Sequence, residues 1–467
     1  MQSFDLLVVG GGINGAAIAR DAAGRGLKVL LVEKDDLAAH TSSASSKLIH
    51  GGLRYLEQFE FPLVRESLRE REILLRTAPH IVRPLRFVLP DPPGGRPTWL
   101  LRFGLRLYDL LAGRSVLARS HRLREPDAAL KPGFALLGYW DAWVDDARLV
   151  VLNAVDAAEH GAQIATRTEL LAAERAGDSW LAELSGGRTV QARMIVNAAG
   201  PWVAQVLQKR LGGSGRSGVR LVKGSHILVP RLWNGQQAYI LQQPDSRVVF
   251  ALPYGEYSLI GTTDVPVANP EEAAISSDEI DYLCAAANGY FVRQTAPADV
   301  VWRYSGVRSL YDDGSAAAKD VTRDYRLELD PAPGPKLLSV FGGKITTARA
   351  LAEEALERLG VTGRGWTQDA AVPGGDAPAL APEWLPAPLR QRLATAYGSR
   401  LPALLANAQS PTDLGRHFGA GLYEAEVRYL VTVEFARTAE DILWRRTKLG
   451  LHTGAAEQQA LRDYLGG

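Results

Sequence analysis

Apolar residues follow three different rhythms along this chain, and each predicts a different kind of unit. Near the start, Phe4-Asp5-Leu6-Leu7-Val8-Val9 is a short, almost continuous apolar run that reads as a buried strand. Gly10-Gly11-Gly12-Ile13-Asn14-Gly15 follows, then a helical pattern over 16–25 and a second apolar run over 28–32 that ends in Glu33. Isolated runs of the same kind return much later, at 194–199 before Gly200-Pro201 and at 337–341 before Gly342-Gly343 and a helical pattern over 346–359. Both predict strands that rejoin the first sheet. Between them, 219–229, 238–241, 248–252 and 258–261 are β-rich segments of the kind that builds an antiparallel second layer. After Pro373-Gly374-Gly375-Asp376 a Pro- and Ala-rich stretch leads into a pattern that is helical almost to residue 467. Such punctuation followed by a change of element type marks a boundary.

The opening strand, glycine turn, helix and strand form a βαβ unit with G-x-G-x-x-G spacing. Gly10 permits the tight turn, Gly12 lets the backbone approach a pyrophosphate, and Gly15 lets the helix pack closely on the strand. The helix N-terminus then faces the phosphates, with Ile13 and Asn14 in the turn that precedes it, and Glu33 can accept hydrogen bonds from ribose hydroxyls, with Lys34 beside it. The hydroxyls of Thr41-Ser42-Ser43-Ala44-Ser45-Ser46 suit a pyrophosphate and ribityl chain, which favours FAD over NAD. The fold expected is α/β, in three units. An FAD-binding Rossmann-like domain is built from non-contiguous segments 1–75, 145–218 and 305–372. A mixed antiparallel-sheet substrate domain takes 76–144 and 219–304, and a helical domain takes 373–467.

Composition narrows the class. At 46% hydrophobic and 22% charged, the 467 residues can bury a large core. The formal charge of +1 creates no global field for nucleic acid, so none is expected as a partner. The only cysteine, Cys284, can form neither an internal disulfide nor a cysteine-based metal site, and no metal is expected. The N-terminus lacks a basic segment of the signal-peptide kind, and no stretch offers about 18 uncharged apolar residues, so a cytosolic or surface-bound protein is expected.

From Thr41 to Leu56 the sequence reads TSSASSKLIHGGLRYL, which resembles a signature of aerobic FAD-dependent glycerol-3-phosphate dehydrogenases. Further blocks resemble that family in the same order: Trp143 to Leu149, Asn197 to Trp202, Lys223-Gly224-Ser225-His226, and Ile260-Gly261-Thr262-Thr263-Asp264. Tyr304 to Arg308, Thr322-Arg323-Asp324-Tyr325 and Phe341 to Thr347 continue the series, as do Tyr423 to Glu426 and Leu443 to Lys448 in the helical tail. Ser309 stands where proline is commoner, and Ala348 where an aromatic residue is usual.

The resemblance implies oxidation of C2 of sn-glycerol 3-phosphate to dihydroxyacetone phosphate, with hydride transfer to flavin N5 and electrons passed on to a membrane quinone. A glycerol-3-phosphate oxidase using oxygen and a non-catalytic flavoprotein remain as alternatives. The chemistry has its own requirements. A phosphate dianion needs multidentate cations, for which Arg54, Arg308 and Arg323 are candidates, with Tyr55 orienting substrate. Each arginine also reads as an ordinary salt-bridging side chain. The hydroxyl proton needs a base, and of the eight histidines His50 and His226 sit in the family-like blocks. Lys344, after Gly342-Gly343, would stabilise reduced flavin or a developing alkoxide. Gly200, Gly343, Lys344 and Thr346 complete the expected cofactor contacts.

Residues 99–111 form an apolar helical pattern with Arg102, Arg106 and Asp109 on one stripe, and Arg114, Arg119, Arg122 and Arg124 follow. The pattern suits an interfacial helix on anionic lipid and equally a buried helix of the second domain. The resemblance favours the first, with peripheral attachment to the inner face of the cell membrane, and leaves room for a homodimer.

Overall fold

The computed structural model describes residues 1–92, 97–213, 218–245, 247–312 and 324–466. Its first sheet runs in the order Arg326–Leu329, Lys336–Phe341, Arg188–Asn197, Gln2–Val9, Val29–Val32, Gln163–Ala165. All these neighbours are parallel except the first pair, and a hairpin of Leu170–Ala176 and Ser179–Leu184 adds to Arg188–Asn197. The opening strand lies at the centre of this sheet, which is why its apolar run does not alternate. Helix α1 (Ile13–Gly24) packs one face, and ten of its twelve residues are buried. Its alanines let it lie close to the sheet on one side and to helices Asp146–Glu159 and Ala348–Arg358 on the other.

The second sheet is larger and mixed. Its order is Val265–Pro266, Val219–Pro230, Tyr257–Gly261, Val248–Tyr254, Ala238–Gln242, Val82–Asp91, Ala135–Val144, Leu48–Ile49. Only the pairing of Ala238–Gln242 with Val82–Asp91 is parallel along this path. One face packs on Ser277–Asn288, while α2 (Phe61–Thr77) and α3 (Thr98–Ala112) contribute to the core on the other.

The elements agree with the sequence patterns in kind and differ in extent. α1 begins at Ile13 rather than at 16, so its first turn starts at the glycine loop itself. The expected domain boundary at 305 runs through a strand. Trp302–Tyr311 pairs along its whole length with Val219–Leu228, so its ladder bonds hold it in the second sheet. The segment 48–49, placed in the first domain by the pattern, also pairs into the second sheet.

The tail folds into short helices around Leu385, Leu393, Leu401, Phe418, Leu430 and Ile442. A π-helical turn, Asp441–Arg446, projects Arg446 onto Asp36 of the first domain at 2.7 and 2.8 Å, both side chains at most 1% exposed. Arg445 reaches the same carboxylate, Arg148 pairs with Glu434, Lys448 pairs with Asp145, and Trp444 stacks on Trp302 of the second sheet at 3.9 Å. The tail therefore clamps both other units. Removing one partner of a buried ion pair leaves the other uncompensated, which costs about 3–5 kcal/mol. Because Arg445 still reaches Asp36, Arg446→Ala is expected to lower the urea midpoint by less than that, and an unchanged midpoint would show that this bridge adds nothing.

Candidate active site

The glycine loop behaves as its spacing requires. Gly10 has φ +113°, and a Cβ there would stand 2.4 Å from the Ala198 carbonyl oxygen of the neighbouring strand. A Cβ on Gly15 would stand 1.9 Å from the Gly10 carbonyl oxygen, so only glycine lets α1 approach the turn. Gly12 is the N-cap of α1, and Ser42 Oγ accepts from the Ile13 amide at 3.0 Å. Glu33 accepts from the amides of Gly11 at 2.6 Å and Asp35 at 2.9 Å. Burial pushes its carboxyl pKa up, while those two donors oppose the rise.

These residues line one end of a cavity of about 1180 Å3 that runs from Glu33 and Lys34 past the helix N-terminus to His50 and Arg308. That exceeds the usual 300–1,000 Å3 ligand pocket and suits a dinucleotide with a second small molecule. Gly200, Ser42, Ser45 and Ser46 lie along it. Gly342 and Gly343, at φ +75° and +96°, carry the chain past Asn14, whose Nδ2 donates to the Gly342 carbonyl at 3.1 Å. A Cβ on Gly343 would sit 2.6 Å from that nitrogen. Asn14 Oδ1 and Lys344 Nζ are buried on the wall with no hydrogen-bond partner among the described residues, and Thr346 is buried on the same wall. Buried polar groups are rarely left unsatisfied, so these atoms and the glycine cradle fit an extended polar cofactor. Lys34 lies exposed beside Glu33, its ammonium 3.8 Å from the Trp202 ring centroid. Ser43 departs from expectation. Its hydroxyl donates to the His40 carbonyl at 3.2 Å, and it faces a separate, smaller cavity, because the 3-10 turn Thr41–Ser43 rotates it away from Ser42.

The other end brings the expected chemical residues together. Gly52 has φ +75°, turning the chain so that the half-buried Arg54 and Tyr55 line the cavity. Lys344 Nζ lies 4.0 Å from the Tyr55 ring centroid. His50 meets Phe250 edge to face, and burial, then the charges of Lys344 and Arg71, push its imidazole down to about 4. His226 is 2% exposed, stacks on Tyr304 at 4.8 Å, and shares a 2.9 Å hydrogen bond between Nε2 and Ser46 Oγ. Burial, then Lys47 and Arg308, push it down to about 3. Arg308 Nη2 donates to Asp264 at 2.6 Å and to the Thr263 carbonyl at 2.9 Å. Arg323 lies outside the described residues.

Several residues of this site carried no role in the sequence reading. Asp264 orients Arg308, Tyr304 backs His226 and donates from its hydroxyl to the Ser45 carbonyl at 2.9 Å, and Asp146 accepts from Ser45. Gly261 pairs with His226 across the sheet, and a Cβ there would strike the imidazole at 2.0 Å. All of them lie in the family-like blocks, so the signal was present without a role attached to it.

Comparison with known proteins agrees with this arrangement. Residues 5–358 match the family model described as FAD dependent oxidoreductase, and residues 365–465 match the C-terminal domain of alpha-glycerophosphate oxidase. A glycerol-3-phosphate dehydrogenase of Pseudomonas aeruginosa is 51% identical, over 99% of this chain and 95% of its own. D-erythritol 1-phosphate dehydrogenase of Brucella abortus is 50% identical over 99% and 98%, and the aerobic glycerol-3-phosphate dehydrogenase of Escherichia coli is 47% identical over 100% and 98%. The crystal structure of a Bacillus halodurans glycerol-3-phosphate dehydrogenase complexed with FAD shares the fold, with TM-score 0.72, 24% identity, and 99% and 94% of the two chains covered. The glycine cradle, the orphaned polar atoms along the cavity and these matches lead to one conclusion: this chain is an FAD-dependent oxidoreductase and belongs to the aerobic glycerol-3-phosphate dehydrogenase family.

Proposed function

We propose that the chain oxidises sn-glycerol 3-phosphate at C2 to dihydroxyacetone phosphate and passes the electrons to a membrane quinone. The observation that carries this reading is that one cavity wall holds His50, on which the charge of Lys344 acts, together with Arg54 and Arg308. When bound, FAD supplies the hydride acceptor at N5. The chain supplies the rest. Arg54 and Arg308 take the phosphate, with Asp264 fixing the direction of the Arg308 fork. His50, less enclosed than His226 and with no ring nitrogen committed to Ser46, takes the hydroxyl proton. Lys344 stabilises the negative charge that develops on O2.

The match to D-erythritol 1-phosphate dehydrogenase supports a second substrate, a four-carbon polyol phosphate with the same phosphate handle. Anaerobic mixing with each compound, followed by flavin absorbance, tests both readings. Glycerol 3-phosphate should bleach the flavin of the wild type, and His50→Asn should slow bleaching by about 10²–10⁴-fold while retaining FAD. No bleaching with either compound would overturn the assignment. Turnover with a quinone analogue should exceed peroxide production, and the reverse ratio would make the protein an oxidase.

Because the His50 imidazole is held down to about 4, it is neutral and able to accept a proton throughout the neutral range. In the substrate-free protein the His50 ring should stay neutral as pH falls through 6.5 and take up a proton only as pH approaches about 4, as read by NMR of its ring resonances. A midpoint near 6.5, the ordinary histidine value, would show that burial and Lys344 do not hold it neutral.

Peripheral membrane attachment is part of the same proposal. Among the described residues no helix is long and apolar enough to cross a membrane. α3 instead buries Leu105 and Tyr108 and leaves Trp99 70%, Phe103 60% and Leu110 76% exposed, with Arg102 and Arg106 also outward. Exposed aromatics flanked by arginines suit an anionic lipid surface. Vesicles containing anionic lipid should float the wild type and leave most of an Arg102→Glu, Arg106→Glu variant behind. Equal partitioning would sink the role of this helix.

A further inference from the structure

The buried face of α3 carries one polar group, and that group does not contact solvent. Tyr108 is 1% exposed, and its hydroxyl accepts from the Gly51 amide at 2.8 Å. Gly51 lies between His50 and the turn that presents Arg54 and Tyr55. The approach is tight, since a Cβ on Gly51 would stand 2.7 Å from the Tyr108 oxygen and from the Leu68 side chain.

A backbone amide only donates, which fixes the direction of this bond, and the group behind the phenol fixes where its own proton goes. Tyr108 Oη is 2.9 Å from both oxygens of Asp141, which is 1% exposed and pairs with Arg71 Nη1 at 2.7 Å. Burial pushes the Asp141 carboxyl up to about 6 against the pull of Arg71, so at pH above that it is ionised and only accepts, the phenol proton points to it, and a phenol lone pair faces Gly51. Arg71 is locked in turn by Glu72 at 2.8 Å and by the Trp140 carbonyl at 3.2 Å. The chain Arg71, Asp141, Tyr108, Gly51 is thus a buried polar relay that ends on the backbone between the base and the phosphate ligand.

We propose that Tyr108 is a positioning residue of the reaction: held by Asp141 and Arg71, it fixes the Gly51 amide and so sets His50 and Arg54 against the substrate. This rests on the assignment of substrate to that loop. A misplacement of about 1 Å can lower the rate about 10²-fold, so one anchoring hydrogen bond can matter far beyond its stability.

The test compares Tyr108→Phe with Leu105→Ala, measured on FAD-loaded protein per bound flavin. The phenylalanine keeps the ring and removes only the hydroxyl, whereas the alanine removes an equally buried side chain of α3 that has no bond to the loop. Tyr108→Phe should lower kcat/KM for glycerol 3-phosphate about 10- to 100-fold with FAD content retained. Leu105→Ala should lower the melting temperature and leave turnover per flavin near wild type. A merely structural role would give the two variants the same profile, which would overturn the proposal. Hydrogen exchange of the peptide containing Gly51 gives a readout that needs no substrate. It should be protected in wild type and lose protection in Tyr108→Phe, and unchanged protection would also overturn the proposal. If wild type fails to turn over glycerol 3-phosphate, the substrate assignment fails by itself, and the exchange result still decides whether Tyr108 holds the loop.

Discussion

The buried carboxylate of Asp146 is the constraint around which the two halves of this protein meet. Taking such a charge out of water carries a penalty of several kcal/mol unless it is paired and fully hydrogen-bonded. Asp146 is 0% exposed, and its oxygens accept from Lys47 Nζ at 2.8 Å, from Ser45 Oγ at 2.8 Å, and from the Ala147 amide at 2.9 Å. Lys47 is equally enclosed, and burial lowers its pKa against the pull of Asp146. Neither group is tolerable alone, so the helix that begins at Asp146 and the loop that ends at Lys47 must dock together.

That loop is the seam between cofactor and substrate. Ser42 reaches the N-terminus of α1, Thr41 donates to the Val307 carbonyl at 2.6 Å, Ser46 holds His226, and Tyr304 returns a bond to Ser45. Six consecutive residues therefore touch the first domain on one side and two strands of the second sheet on the other. The tail strengthens the same junction, because Lys448 pairs with Asp145, next to Asp146, and Trp444 stacks against Trp302.

Charge in the substrate end serves two purposes at once. Lys344, Arg54 and Arg308 make a field that suits a phosphate dianion. After burial, Lys344 with Arg71 disfavours protonated imidazole at His50, and Lys47 with Arg308 does so at His226. Lys344 and Arg308 thus serve both purposes, while Arg71 and Lys47 act on the imidazoles alone. Asp264 limits it by partly neutralising Arg308.

The sequence by itself determined whatever depends on neighbours along the chain. The glycine spacing at 10–15, the apolar run at 4–9 and the acid at Glu33 dictate a βαβ turn, because sterics and burial act within a few residues there. The family-like blocks likewise marked His50, Arg54, His226, Arg308 and Lys344, and these converge on one cavity. Tertiary structure alone decided how distant segments share space. It turned Ser43 away while Ser42, Ser45 and Ser46 stayed on the wall. It moved Trp302–Tyr311 wholly into the second sheet through ladder bonds to Val219–Leu228. It also gave roles to Asp146, Asp264 and Tyr108, whose partners lie 99, 44 and 57 positions away. Hydrogen bonds and ion pairs over such separations leave no periodicity in the chain, so the residues that hold a site in place are the last to be legible in its sequence.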